Sequence, residues 1–413
     1  MLPRAHTREV DSAPKLTRRL TLPMLVLFGL GTMVGAGIYV LVGEILAVSG
    51  AFAPWAFLLA ALVAACTALS YGQLARRFPK SAGEAVYVEQ AFDLPVLTRA
   101  TGWAVALTGL VSSGTLAKGF AGYFSFFFPG TQALAAPGFI IVLGLIVAWG
   151  IGHTIWVAMI ITALSVLGLL TVLVVSSRYL SHLPELLPLL TPSADGAWLA
   201  ITAGAFVAFY AFIGFEDMVN VAEETREPER TMVPAILIAL TGATTLYLLV
   251  ALMAVLANQE LALAGHPAPL AAMVAHAGAP WPAIIATLSM LSVSNSALAQ
   301  LVMVSRVVYG MADGGHAPRL LARIHPVRKT PLLATGLTVA LVVALAAWFP
   351  LLVLAKATSL IVLLVFTMVN VALIRLLLRE GAHARRLALP ALGVLLSVGL
   401  IAISLLGEVS AGH

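Results

Sequence analysis

Residues 29–40 read Gly29-Leu30-Gly31-Thr32-Met33-Val34-Gly35-Ala36-Gly37-Ile38-Tyr39-Val40, at the centre of an apolar run from Leu22 to Val48. As a helix that run would span about 40 Å, enough to cross the roughly 30 Å core of a bilayer. It is also too long for the apolar region of a cleavable signal peptide, and none is expected. Four glycines fall within nine residues. Each costs a helix about 1 kcal/mol relative to alanine. Gly29 and Gly31 read as small residues that let helices pack closely. Gly35-Ala36-Gly37, at mid-span, reads as an unwound segment. Free backbone N–H and C=O groups at that depth survive only where they line a cavity or meet a ligand.

The rest of the chain is of the same kind. Of 413 residues, 61% are hydrophobic and 10% charged, against about 25% charged in a soluble domain. A soluble enzyme, a disordered regulator and a disulfide scaffold are excluded. The fold class is an all-α polytopic membrane protein of about eleven spans: Leu22–Val48, Phe52–Tyr71, Trp103–Phe128, Ala133–Gly152, Ile155–Ser176, Trp198–Val219, Met232–Ala257, Trp281–Met311, Leu332–Phe349, Leu351–Leu378 and Leu387–Leu406. Lone strands would leave their backbone unpaired in lipid, and the runs are too long for barrel strands. The single cysteine, Cys66, permits no internal disulfide and reads as a core side chain.

Lysine and arginine set the orientation. With the N-terminus inside, 19 of the 23 fall in inner segments, one (Arg178) in an outer loop and three (Lys118, Arg306, Lys356) within spans. This predicts a multi-pass cytoplasmic-membrane protein with residues 1–21 cytoplasmic and the C-terminus outside. The basic residues lie in short loops, so the pI near 9.5 implies no nucleic-acid partner.

Span six has a second interruption: Phe206-Val207-Ala208-Phe209-Tyr210-Ala211-Phe212-Ile213-Gly214-Phe215-Glu216-Asp217. Carboxylates in a span usually pair or function. Glu216 adjoins the break and reads as functional, Asp217 as an acid that reaches interfacial water. Spans one and six are five apart, so a second set of five runs opposite to the first. That is the spacing of a 5+5 inverted-repeat, leucine-transporter-like fold with spans one and six broken around a midplane site. The repeats would be 22–178 and 197–378, followed by an additional helix at 387–406. Half-helix N-termini favour anions and C-termini cations; an α-amino acid presents one of each.

These residues resemble the amino acid–polyamine–organocation superfamily, and within it the amino-acid permeases. The resemblance rests on four stretches in order: Gly31–Val40, Tyr71–Tyr87, Phe209–Glu216 with Ala222–Arg230, and Ser305–Gly314. It implies that Val34, Gly35, Ala36, Gly37 and Ile38 hold a substrate carboxylate. Phe209, Tyr210, Ala211, Phe212, Ile213 and Gly214 would hold the amino group, with Tyr210 an aromatic gate and Glu216 tying gate to site. Residues 83–93 and 222–230 would close the inner side through acid–base pairs.

Departures from the family pattern matter as well. Some proton-coupled members carry a lysine in span five, where this chain has Ser165. Ser292, Asn295 and Ser296 could complete a sodium site, since hard cations take oxygen ligands, or could simply bond between helices. Coupling to H+ or Na+ thus stays open, as does exchange without an ion. Lys118 in span three is unusual; it either pairs with Glu44 or snorkels outward. Lys356 reads as snorkelling.

No cofactor or metal is expected, and the partners are the bilayer and a small-molecule substrate, an amino acid, in a monomer or homodimer. The expected activity is transport of amino acids, neutral and apolar ones first, by alternating access. Cationic amino acids or polyamines are the alternative within the fold. An ion channel would need a ring of ligands. An enzyme would need a motif that His153, His266, His276 and His316 do not form, and a pump would need a phosphate loop.

Overall fold

The computed structural model describes residues 20–78, 83–150, 155–192, 196–313, 315, 317–326, 328 and 330–411. The cytoplasmic segment expected before Leu20, and His153 and His316, lie outside these residues. The described chain is helical throughout, with one isolated bridge between Leu20 and Thr225. In chain order the helices are α1 (Leu22–Ser49), α2 (Ala53–Arg77), α3 (Gly83–Phe92), α4 (Pro95–Phe127), α5 (Gln132–Trp149) and α6 (Ile155–Val175). Next come α7 (Leu183–Leu186), α8 (Ala197–Ala208), α9 (Asp217–Asn220), α10 (Pro228–Leu261) and α11 (Pro269–Met273). The last four are α12 (Trp281–Asp313), α13 (Leu332–Trp348), α14 (Leu351–Arg379) and α15 (Ala384–Ala411).

Every expected span is present. Among the described residues nine apolar segments are long enough to cross a bilayer, and the first, Leu22–Arg77, contains both α1 and α2. The shorter apolar helix α13 completes the eleven. Local chemistry fixes several starts. Proline stands in the first turn of α1, α2, α4 and α10, where its missing N–H has no helical partner to lose. Pro350 likewise separates α13 from α14.

The centre is α1, which packs against α6, α8, α10 and α12. Its middle corrects one expectation: α1 is a continuous helix through Val34–Ile38. The glycines serve close approach instead. A Cβ on Gly37 would overlap the backbone of Ala211, and one on Gly35 would overlap Ser296 Oγ and lie 3.3 Å from the Ser292 carbonyl. Gly29 and Gly31 do the same against Met218 and Thr162, as packing positions should. Close contact of small residues supplies the dispersion energy that replaces the hydrophobic effect between helices in lipid.

Span six is broken as expected. α8 ends at Ala208, a 3-10 turn covers Phe209–Phe212, and helix resumes only at α9. Elsewhere a buried amide ties two helices: Asn370 of α14 accepts from Ser70 (2.6 Å) and donates to Thr67 (2.9 Å), both on α2.

The packing of α1 predicts a paired result. Gly37→Ala overfills a closed contact and should cost about 1–3 kcal/mol, read as a lowered thermal midpoint in detergent. Gly336→Ala in α13 meets nothing within 4 Å and should be neutral or stabilise by up to about 1 kcal/mol, read as an unchanged or raised midpoint. Equal shifts would contradict the contact.

Candidate functional site

The break in span six is built on two residues. Ile213 is extended, and Gly214 has φ +126, a conformation that side chains disfavour. A Cβ on Gly214 would also sit 2.7 Å from the Thr32 carbonyl carbon of α1. Glycine is therefore required twice over. The Gly214 N–H donates to Glu216 Oε2 at 2.8 Å, and its carbonyl accepts from Thr32 Oγ1 at 2.8 Å. Tyr247 of α10 donates to the Ala211 carbonyl at 2.9 Å. The backbone freed by the break is thus taken up by protein partners, as hydrocarbon depth demands.

A small polar cavity of ≈ 30 Å³ adjoins the break. Thr32, Ser112, Tyr210, Asn295, Ser296 and Asp217 supply its polar lining. The Tyr210 ring is buried, with its hydroxyl 2.8 Å from Ser112 Oγ and donating to the Ser112 carbonyl at 3.2 Å. Of the residues expected to meet substrate, Tyr210 and Ile213 border this space. Val34, Gly35, Gly37, Ile38, Phe209, Ala211, Phe212 and Gly214 do not line it and are buried between helices; nothing is described of the Ala36 side chain. Sequence reading missed Thr32, Ser112 and Gln300. Gln300 had a signal: it follows Ser292 and Ser296 at four-residue steps, one face of a helix.

A second cavity of ≈ 40 Å³ shares Ile213, Asp217 and Gln300 with the first. Glu84, Glu216 and Asp217 all line it. Asp217 therefore faces internal space rather than the membrane interface expected for it. Glu84 accepts from the Tyr71 hydroxyl at 3.2 Å, and burial pushes its carboxyl above the usual range. Among the described residues none of the three acids is ion-paired. Each cavity has room for about one or two waters.

Contacts bridge the helices at both ends. On the basic face Leu20 pairs with the loop after α9: its N–H donates to the Glu224 carbonyl at 2.9 Å, and Arg226 N–H donates to the Leu20 carbonyl at 2.8 Å. The first turn of α3 abuts the end of α9, with Asn220 Oδ1 3.0 Å from where a Gly83 Cβ would be. Main chain makes this closure, whereas acid–base pairs were expected within residues 83–93 and 222–230. The pairs observed there are the exposed Arg230–Glu227 (3.6 Å) and, beside the region, Arg77–Glu380 (2.8 Å). On the opposite face the loop after α10 lies over α1 and α4. Gly265 N–H donates to the Gly43 carbonyl at 2.9 Å, and Gly122 leaves room for the Pro267 carbonyl. Half-burial pushes the His266 imidazole below its usual pKa.

Two further expectations concern charge. Lys118 and Glu44 are both half-buried, but no ion pair joins them. Ser165 Oγ lies 2.8 Å from Ser292 Oγ, and Ser296 donates to the Ser292 carbonyl at 3.4 Å. The first contact crosses from α6 to α12 and the second stays within α12, while Asn295 borders the first cavity.

A family model described as amino acid permease matches residues 20–411. An uncharacterized transporter of Mycobacterium tuberculosis is 32% identical over 406 residues, 97% of this chain and 90% of that protein. A branched-chain amino acid permease of Bacillus subtilis is 27% identical over 408 residues, 94% of this chain and 86% of that protein. A vacuolar cationic amino acid transporter of Arabidopsis thaliana is 30% identical over 400 residues, 89% of this chain and 62% of that protein.

The Gly214–Glu216 contact predicts a difference between two substitutions. Glu216→Ala leaves a buried N–H unpaired and should cost about 1–3 kcal/mol. Glu216→Gln keeps an acceptor oxygen and should retain most of that stability. Thermal unfolding of both variants checks it; equal losses would mean that the carboxylate charge, not the hydrogen bond, holds the break.

Proposed function

Taking as premise that the chain belongs to the amino acid permease family, we propose that it carries amino acids across the cytoplasmic membrane by alternating access. The supporting observation is the broken span six, clamped on α1 beside a small polar cavity, with separate closures at the two faces. A carrier needs such a site and two closures that open in turn; an open channel does not. In this reading the present conformation is close to an occluded one. Opening either face would enlarge the cavity at Tyr210 into a substrate chamber.

In this reading residues 22–178 and 197–378 are the two inverted repeats. The basic face is cytoplasmic, by the bias of lysine and arginine, and α15 ends on the outer side. The protein works as a monomer or homodimer, without a catalytic step or cofactor. With α1 helical through Gly35–Gly37, the substrate carboxylate meets side-chain hydroxyls first, those of Thr32, Ser112 and Ser296. Its ammonium meets the carbonyls of the span-six turn as their present partners, Tyr247 and Thr32, let go.

Neutral, apolar amino acids are the first reading, because Ile213 and Ala299 line the first cavity together with Tyr210. One observation favours a cationic side chain instead: Asp217 borders both cavities, and Glu84 and Glu216 join it in the second. Burying an ammonium or guanidinium requires such partners. Ion coupling is open in both. With no lysine in span five, Ser165 and Ser292 would have to exchange their mutual bond for a cation.

Counterflow of labelled leucine or lysine in proteoliposomes, with and without sodium and at two pH values, tests substrate and coupling together. Saturable leucine exchange supports the first reading. Lysine exchange that drops at least tenfold in Asp217→Asn, with leucine exchange unaffected, supports the second. Linear, non-saturating flux of both would overturn the carrier.

A further inference from the structure

The two cavities lie one behind the other. From the first to the second, the lining steps from Ser112 to Thr108 and Val105 on α4, and from Asn295, Ser296 and Ala299 to Met303 on α12. α4 starts and α12 ends at the basic face. Both steps therefore lead toward that face, by about 6–10 Å along a helix. The second cavity also reaches Glu84 and Asn220, where α3 meets the end of α9. It thus lies between the first cavity and the contacts that bridge the basic face.

Three residues line both spaces and form the partition between them: Ile213, Asp217 and Gln300. Two of them are tied into the break of span six. Ile213 is the extended residue beside Gly214, β-branched and stiff. Asp217 opens α9, and its N–H donates to the Gly214 carbonyl at 3.1 Å. Gln300 differs. It stands on unbroken α12, its side chain is long and unbranched, and its Oε1 is buried with no hydrogen-bond partner among the described residues. That oxygen rests against α4 at Gly109, 2.8 Å from where a Cβ would be. The same notch takes Met303 Cε and Val304 Cγ2, 2.6 and 2.7 Å from that position.

Buried polar groups nearly always have partners, and one without a partner calls for a reason. Packing against Gly109 is what holds this amide oxygen in place. Rotation about the side-chain torsions of Gln300 takes the amide out of the partition and leaves every bond of the span-six break intact. It also gives the oxygen a donor, either water entering from the basic face or the ammonium of an amino acid. Moving Ile213 or Asp217 would instead undo the break.

We propose that Gln300 is the inner gate of the carrier. Parked against Gly109, it separates the first cavity from the second, and it turns aside as an amino acid passes between them. The proposal rests on the carrier reading above. The bulk of the side chain closes the path. Its unpaired oxygen makes opening easier, because the bond missing in the closed state is formed in the open one.

The test reads passage by thiol labelling in membrane vesicles of both orientations, in a Cys66→Ala background that removes the single native cysteine. Ala299→Cys reports on the first cavity and Val105→Cys on the second. A small, membrane-impermeant methanethiosulfonate is applied from the side that labels Val105→Cys, so the readout does not depend on which face is cytoplasmic. The ratio of the Ala299→Cys rate to the Val105→Cys rate divides out the opening of the basic face and leaves passage across the partition. For a gate open about a tenth of the time or less, Gln300→Ala should raise the ratio roughly tenfold or more. Gln300→Leu keeps the bulk and lacks the amide; it should lower the ratio about fivefold, the worth of one net hydrogen bond.

An unchanged ratio in Gln300→Ala, a ratio at or above the native one in Gln300→Leu, or a Val105→Cys unreactive from either side would overturn the gate. The labelling ratio needs no transported substrate. Linear, non-saturating flux in the counterflow assay would therefore overturn the carrier, while the ratio still decides whether Gln300 closes the partition.

Discussion

A peptide group left without a partner in hydrocarbon is too costly to keep, and the core of this protein is arranged around that constraint. Span six breaks at Phe209–Gly214, and the break survives because α1 lies against it with no side chain between them. Gly37 admits the Ala211 backbone, and Gly214 admits the carbonyl of Thr32. That proximity lets Thr32 reach the Gly214 carbonyl, while Glu216 takes the Gly214 N–H. A side chain at either glycine would separate the helices and strand those groups.

The same contact explains why the cavities are small. The partners that satisfy the break, Thr32 and Tyr247, occupy carbonyls that a ligand ammonium would otherwise meet. On the proposed carrier reading, the closed site is satisfied by the protein's own side chains. Binding exchanges one set of hydrogen bonds for another, so its net free energy is modest and suits a ligand that must also leave.

Much of this was legible in the sequence, and the limits have physical reasons. All eleven spans were readable, because length and apolarity are local properties. The break in span six was readable because Gly214 stands beside two acids in an apolar run. The expected break in span one was not there. Glycine serves unwinding and close approach equally well, and the partner that decides, Ala211, is remote in sequence. Asp217 was misplaced for a related reason: periodicity does not continue through a break, so the facing of a residue just beyond it cannot be counted from the helix before. The face of α12 carrying Ser292, Ser296 and Gln300 kept its period, so its inward polar line was recoverable.

The pairing of Leu20 with residues 224–226 has a mechanical consequence. Leu20 is bonded to the segment that follows α9, and α9 begins three residues after Gly214. Leu20 is also within two residues of the start of α1. Leu20 is therefore in series with both sides of the α1–span six contact. A displacement of Leu20 reaches that contact along covalent bonds and two hydrogen bonds, without crossing the bundle.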